Sequence, residues 1–241
     1  MVLLYGHRGA KGEAPENTAA GIRYARALYV DGIQLDVRLS ADDELVAIHD
    51  ETVDRTTRSR GRVSSMKAEK LASLDARADF PSWPEASGVP TLADALDAAS
   101  GIPHLALSVQ PDEPKRLRRL CERLVALLEH RWILDRVSVL STSEDALRAI
   151  ERLAPFVPRV RAGWFDMEFN LDDARRLRCR GIAVPLVTCS PTLIEAARDR
   201  ELQVMGWLGN TAAEVQAFSD LGVDAIITDF PTIAKRALGR H

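Results

Sequence analysis

Long apolar runs, paired cysteines and an excess of positive charge are all missing from this 241-residue sequence, and each absence closes off a class of function. No run of about 18 apolar residues exists, so no membrane-spanning helix is expected. The opening Met1-Val2-Leu3-Leu4-Tyr5 is too short for a signal-peptide core. Three cysteines, Cys121, Cys179 and Cys189, are odd in number and none lies in a Cys-x-x-Cys pair. They suggest buried thiols in a reducing compartment rather than a disulfide framework or a zinc site. A cytoplasmic location is therefore expected. The net charge of -3 gives no electrostatic case for nucleic acid or an anionic membrane as partner. No Gly-x-Gly-x-x-Gly follows a predicted strand, which argues against a dinucleotide fold.

What the sequence does contain is a regular alternation of short strands and helices in an otherwise ordinary soluble composition, 46% hydrophobic and 28% charged. Short apolar runs beginning at Val2, Gly32, Leu105, Val137, Arg159, Ile182, Gln203 and Ala225 read as strands, and amphipathic segments follow them. Eight such units in a chain of this length predict an α/β fold, a (β/α)8 TIM barrel spanning 1–241 as a single domain. The alternation breaks between about 50 and 89, where the polar run Asp54-Arg55-Thr56-Thr57, Gly61, a helical piece near Met66–Leu74 and Phe80-Pro81-Ser82-Trp83-Pro84 read as an insertion after the second strand. Excursions of this length in a compact domain are usually functional.

The stretch from Gly32 to Asp50 carries the chemistry. Ile33, Leu35, Val37 and Leu39 alternate with Gln34, Asp36, Arg38 and Ser40, so Gln34 and Asp36 point to one side of a strand. A turn at Asp42-Asp43 and a second extended run, Leu45–Ile48, deliver His49 and Asp50. At the end of the first strand lies Gly6-His7-Arg8-Gly9. Active sites of barrels sit where strands end, so His7, Arg8, Gln34, Asp36, His49, Ser108, Gln110 and Trp207 are predicted to converge on one mouth. Two imidazoles can serve as general base and general acid near neutral pH, and Arg8 offers a permanently charged fork to phosphate or carboxylate oxygens. Either histidine alone could equally be structural; the pair suggests phosphoester chemistry. Asp36 reads as a metal ligand or an orienter of a histidine, or equally as a carboxylate paired with Arg8 or Arg38. Trp207 is a candidate wall of the substrate pocket, although an aromatic there is often packing. Arg55 can reach the site from the insertion, but a solvated loop is the stronger reading of its run.

His7-Arg8-Gly9, Pro15-Glu16-Asn17-Thr18, Gln34-Leu35-Asp36-Val37, His49-Asp50, Asp54-Arg55-Thr56-Thr57 with Gly61, Pro90-Thr91-Leu92 and Thr228-Asp229-Phe230-Pro231 occur in register over nearly the whole chain. This set resembles the glycerophosphodiester phosphodiesterase family. The resemblance implies a TIM barrel with a small insertion after the second strand, and hydrolysis of glycerophosphodiesters to glycerol 3-phosphate and an alcohol, usually with Mg²⁺ or Ca²⁺. By position His7 and His49 match the catalytic histidines, Arg8 a phosphate-binding arginine and Asp36 a metal ligand.

The sequence departs from that pattern at the metal. Gln34 stands where the family usually has Glu, and Ser108 and Gln110 stand where it usually has Glu-x-Lys. A hard divalent cation would keep Asp36 and the Gln34 amide oxygen, a poor site, so metal binding is expected to be weak or absent. If a cation does bind, a nearby acid must compensate, with Glu16, Asp112, Glu113, Asp166 and Glu168 as candidates. Two outcomes stay open. One is phosphodiesterase chemistry carried by two histidines, with Arg38 a weak candidate to stand in for the cation. The other is a catalytically impaired barrel that binds a small phosphoester. Trp83, Trp164, Phe165 and Trp207 could wall a headgroup pocket or belong to the core.

Overall fold

In the computed structural model, which describes residues 1–163 and 171–240, the inward and outward faces of each strand divide the chemistry of the molecule. Eight parallel strands close into a barrel: β1 (Leu3–His7), β2 (Gly32–Leu39), β4 (His104–Val109), β5 (Val137–Ser141), β6 (Arg159–Ala162), β7 (Gly181–Val184), β8 (Gln203–Trp207) and β9 (Ala225–Thr228). Closure comes from β1, which pairs with β2 on one side and β9 on the other. The remaining strand, β3 (Leu45–Ala47), lies antiparallel to the outer end of β2. Around the barrel run α1 (Ala19–Ala27), α3 (Leu92–Ala98), α4 (Pro114–His130), α5 (Glu144–Leu153), α6 (Leu171–Arg176), α7 (Pro191–Arg198), α8 (Ala212–Leu221) and α9 (Pro231–Ala237), with α2 (Ala68–Ala72) in the segment between β3 and α3. The α/β barrel expected from the strand starts is thus the fold observed.

Strand β2 shows why this sequence builds this site. Its outward residues Ile33, Leu35, Val37 and Leu39 are buried in the core shared with the surrounding helices, a burial that stabilises by about 1.5–3 kcal/mol for each side chain. Its inward residues Gln34, Asp36 and Arg38 are polar and also buried. The deeper interior is closed by an apolar layer that includes Tyr5, Ala106, Leu140, Met205 and Ile227. Following the same faces toward the C-terminal ends of the strands leads from Tyr5 to His7, from Ala106 to Ser108 and Gln110, and from Ile227 to Asp229. Period-two alternation therefore stacks a polar ring on an apolar plug.

Helices α1 and α3 start on side-chain caps. Thr18 accepts from the Gly21 N–H at the start of α1 and Thr91 from the Asp94 N–H at the start of α3. Between β3 and α3 the chain packs a small core of its own, with Val46, Ile48, Val53, Val63, Leu71 and Val89 among its members.

Candidate active site

The turn after β1 is the tightest part of the site. Arg8 has φ +50° and Gly9 φ +95°, and a Cβ at Gly6 would meet the Gly9 carbonyl oxygen at 2.0 Å. Glycine at these two places lets the chain fold back and lay His7 and Arg8 over the barrel mouth. The His7 Nδ1 lies 2.6 Å from Asp229 Oδ1 at the end of β9, a neighbour supplied by barrel closure, since Gly6 pairs with Thr228. Asp229 is held in turn by Asn210, whose Nδ2 donates to Oδ2 at 2.8 Å and whose Oδ1 accepts from the Asp229 N–H at 2.8 Å. Burial alone would raise the Asp229 carboxyl, but its bond to His7, the His7 and Lys11 charges and Asn210 hold it below the usual carboxylate range.

The second imidazole is built differently. The Ile48 N–H donates to the Asp36 carbonyl at 3.2 Å, so the chain leaves β3 alongside β2 and presents His49 at the same rim. His49 Nδ1 lies 2.7 Å from Oδ1 of its neighbour Asp50, and the Arg38 Nε donates to the His49 carbonyl at 2.6 Å. Both histidines thus have a carboxylate at Nδ1, an arrangement that leaves Nε2 of each ring for chemistry. The side chain of His7 is 13% exposed and that of His49 41%.

Asp36, on β2, is 2% exposed and surrounded by nitrogen. Its Oδ1 accepts from Gln34 Nε2 and Gln110 Nε2, each at 2.9 Å, and its Oδ2 from Asn17 Nδ2 at 2.9 Å. Two of the amides are fixed in these orientations by their other ends, Gln34 Oε1 accepting from the Arg8 N–H and Asn17 Oδ1 from the Asp36 N–H, while Gln110 Nε2 also donates to Ser108 Oγ. Arg8 Nε is 2.9 Å from Asp36 Oδ2, yet its N–H is not aligned on that oxygen or on any other acceptor. The contact is ionic, and Arg8 keeps a buried N–H free to point at an anion. The cationic neighbour of Asp36 is therefore Arg8. Arg38 reaches instead to His49 and, through Nη1, to the Pro111 carbonyl at 3.2 Å.

Of the described acids considered as replacements for a metal ligand, Glu16 touches this network. It takes Arg8 Nη1 on Oε1 at 2.8 Å and a fork from Arg55 at 2.7 and 2.8 Å. Asp112 pairs with Arg116 at 3.2 Å, on a cavity of about 440 Å³ that also meets Arg38, Glu51, Arg62 and Glu113 but neither histidine. Asp166 and Glu168 lie outside the described residues, as do Trp164 and Phe165. Trp207 is half-buried at the end of β8 against the apolar layer of the interior, and Trp83 packs edge-on against Tyr24 and Phe80. Arg55 is exposed, its side chain at 39%, and it also reaches the site: its guanidinium bridges Glu16 and Asp50 because two carboxylates lie within reach of one planar fork.

Comparison with known proteins places this geometry. Residues 7–233 match the model of the glycerophosphoryl diester phosphodiesterase family. The chain belongs to that family. It is 28% identical over 229 residues to the glycerophosphodiester phosphodiesterase of Caldanaerobacter subterraneus subsp. tengcongensis, covering 95% of this chain and 94% of that one. It is likewise 28% identical to the enzyme of that name from Bacillus altitudinis, with 96% of each chain covered. Among solved structures, a phosphodiesterase of Oleispira antarctica in complex with its product sn-glycerol-3-phosphate superposes with a TM-score of 0.92 at 24% identity, over 98% of this chain and 96% of that one. Within the phosphodiesterase frame, three contributors escaped the sequence reading: Asp229 as the partner of His7, Asn210 as the clamp on Asp229, and Asn17 as a ligand of Asp36. The first had a signal, because closure of a barrel sets the end of the last strand beside the end of the first. The other two come from loops whose path no periodicity records.

Among the described residues no helix is long and apolar enough to cross a membrane.

Proposed function

We propose that this family member hydrolyses small glycerophosphodiesters to glycerol 3-phosphate and an alcohol by two-histidine acid–base catalysis, with no resident divalent cation. The observation that carries the reading is the pair of carboxylate-backed imidazoles, His7 on Asp229 and His49 on Asp50, with the buried Arg8 next to His7 in the chain and linked to Asp50 through Glu16 and Arg55. Arg8 meets the phosphate oxygens with its free N–H. One imidazole Nε2 takes the proton from the substrate hydroxyl next to the phosphoester, and that oxygen attacks phosphorus. The other Nε2 protonates the departing alcohol oxygen as the P–O bond to it breaks. The rings then exchange roles: water attacks the cyclic phosphodiester, the ring oxygen leaves with a proton, and glycerol 3-phosphate results.

The reading without metal rests on the donor set. A cation such as Mg²⁺ or Ca²⁺ takes six or more oxygens, several of them carboxylate. Here the Asp36 oxygens face three amide N–H groups and a guanidinium, and the amide oxygens of Gln34 and Asn17 are turned to backbone N–H groups. Glu16, the nearest other acid of the network, is shared between two arginines. Among the described residues no group of three His, Cys, Asp or Glu side chains suits a metal. These residues do not fit Mg²⁺ or Ca²⁺.

The test is release of glycerol 3-phosphate from glycerophosphocholine and related diesters, with and without a chelator. Turnover that resists the chelator is expected. Turnover abolished by it and restored by one divalent ion overturns the metal-free reading, and no turnover on any diester leaves a barrel that only binds phosphoesters.

A further inference from the structure

We propose that Arg55 is a positioning residue that locks the His49–Asp50 pair and the Arg8–Glu16 pair into one frame, so that proton transfer and phosphate binding stay in register. The inference rests on the roles given to His49 and Arg8 above. Its physical basis is the way one guanidinium is committed. Arg55 Nε donates to Asp50 Oδ2 at 2.7 Å and Nη2 to Asp50 Oδ1 at 3.2 Å. The same Nη2 donates to Glu16 Oε1 at 2.7 Å and Nη1 to Glu16 Oε2 at 2.8 Å. Its last N–H lies on the side of Asp79, whose Oδ2 is 3.8 Å from Nη1. An arginine has five N–H donors in a rigid plane. Four are spent on two carboxylates and the fifth has only Asp79 at ion-pair distance beside it, so the side chain acts chiefly through its neighbours.

Those neighbours are the ones that matter. Asp50 is the group at His49 Nδ1, and Glu16 Oε1 also accepts from Arg8 Nη1 at 2.8 Å. Burial would raise the Asp50 carboxyl, but the bonds from Arg55 and His49 hold it at about 2, so it stays a pure acceptor for the His49 N–H over the working range. Glu16 is lowered against its burial by the same arginine together with Arg8.

The polar run that seemed a loose loop is built to present this side chain. Asp54 Oδ1 accepts from the Gly61 N–H at 3.0 Å, and Thr57 Oγ1 donates to the Val53 carbonyl at 2.8 Å and accepts from the Ser59 N–H at 3.0 Å. Val53, which the Gly61 carbonyl pairs with at 3.0 Å, is fully buried in the small core of the segment. Asp54 and Thr57 close the turn while Arg55 is displayed from it. Lysine, a point charge on a flexible stem, could not hold both carboxylates in plane.

The experiment compares wild type with Arg55→Gln and Arg55→Lys, using Arg62→Gln as a control that breaks only the exposed pair with Glu51. Arg55→Gln is expected to lower kcat about tenfold or more, part of the 10²–10⁴ that a positioned acid–base group supplies, with KM changed less than about threefold. Arg55→Lys should fall between, and Arg62→Gln should match wild type. Imidazole ¹⁵N NMR gives a readout free of turnover: wild type should show the His49 Nδ1–H tautomer and Arg55→Gln a mixture of tautomers. A raised KM with intact kcat would make Arg55 a substrate contact and overturn the proposal, as would an unchanged His49 signature in a folded Arg55→Gln protein. Should wild type turn over no diester, the functional reading fails while the NMR arm still decides the role of Arg55.

Discussion

The two imidazoles of the site stand on unlike foundations. His7 sits on a barrel strand, is nearly buried, and is backed by Asp229 on the neighbouring strand, which Asn210 clamps from the loop after β8. His49 lies beyond the end of β3, is three times as exposed, and is backed by the residue next to it, which Arg55 ties down from outside. One half is organised by barrel closure, a consequence of the whole fold. The other is organised by a short segment that packs its own core against β3. One imidazole is thus placed by the closed barrel and the other by the segment attached to it.

The sharpest way to probe this contrast is to remove each ring. His7→Ala and His49→Ala should each lower kcat by about 10²–10⁴, and the double variant should fall little further, because the rings serve one proton circuit and their losses do not add. The halves should differ in rescue. Free imidazole in the assay should restore more activity to His49→Ala, where the cavity opens to solvent, than to His7→Ala. Equal rescue in both would remove the distinction.

The surroundings of Asp36 can be pushed toward a cation site. Gln34→Glu with Ser108→Glu places two further carboxylates beside Asp36, since Asp36 pairs with Ser108 across β2 and β4 and Gln34 shares its face. The double variant should gain affinity for Mg²⁺ or Ca²⁺, visible by calorimetry as heat absent from wild type, and should lose stability in metal-free buffer through crowded like charges. A flat titration would show that the amide shell, Gln110 and Asn17 included, still closes the carboxylate off.

The contrast also explains what could be read in advance. The barrel, its strand starts and the convergence of His7, Gln34, Asp36 and Gln110 follow from period-two alternation and from the rule that strands end at the mouth, so the closed half was nearly legible. Asp229 needed one more step, the closure that brings β9 to β1. Arg55 is exposed as a charged residue in a turn usually is, but its second role was not legible, since no periodicity in its own segment reveals that Glu16, far away in sequence, waits opposite. Asn17 was legible only as part of the Pro15-Glu16-Asn17-Thr18 motif. It lies in the left-handed region at φ +52° with its side chain turned to Asp36, a conformation asparagine tolerates better than most residues. Contacts between loops are set by where two loops happen to cross, and pattern alone does not carry that information.

The smallest expected effect concerns acid. Asp50, held at about 2, and Glu16 and Asp229, held below their ordinary values, each bind protons more weakly in the folded than in the unfolded chain. A depressed carboxylate contributes stability that is complete above its unfolded pKa and drains away as pH falls through the folded one. For Asp50 the window runs from the ordinary value of 3.8 down to about 2. Thermal unfolding should therefore be steady above about pH 5 and drop between pH 4 and 2, by about 2–4 °C for each kcal/mol lost in a chain of this size. In Arg55→Gln the downward hold on Asp50 and Glu16 is released, so part of that acid-dependent drop should vanish while the share of Asp229 remains. If the variant and wild type lose Tm in parallel, the acid sensitivity belongs to the closed half alone, and the segment carrying Arg55 adds nothing to it.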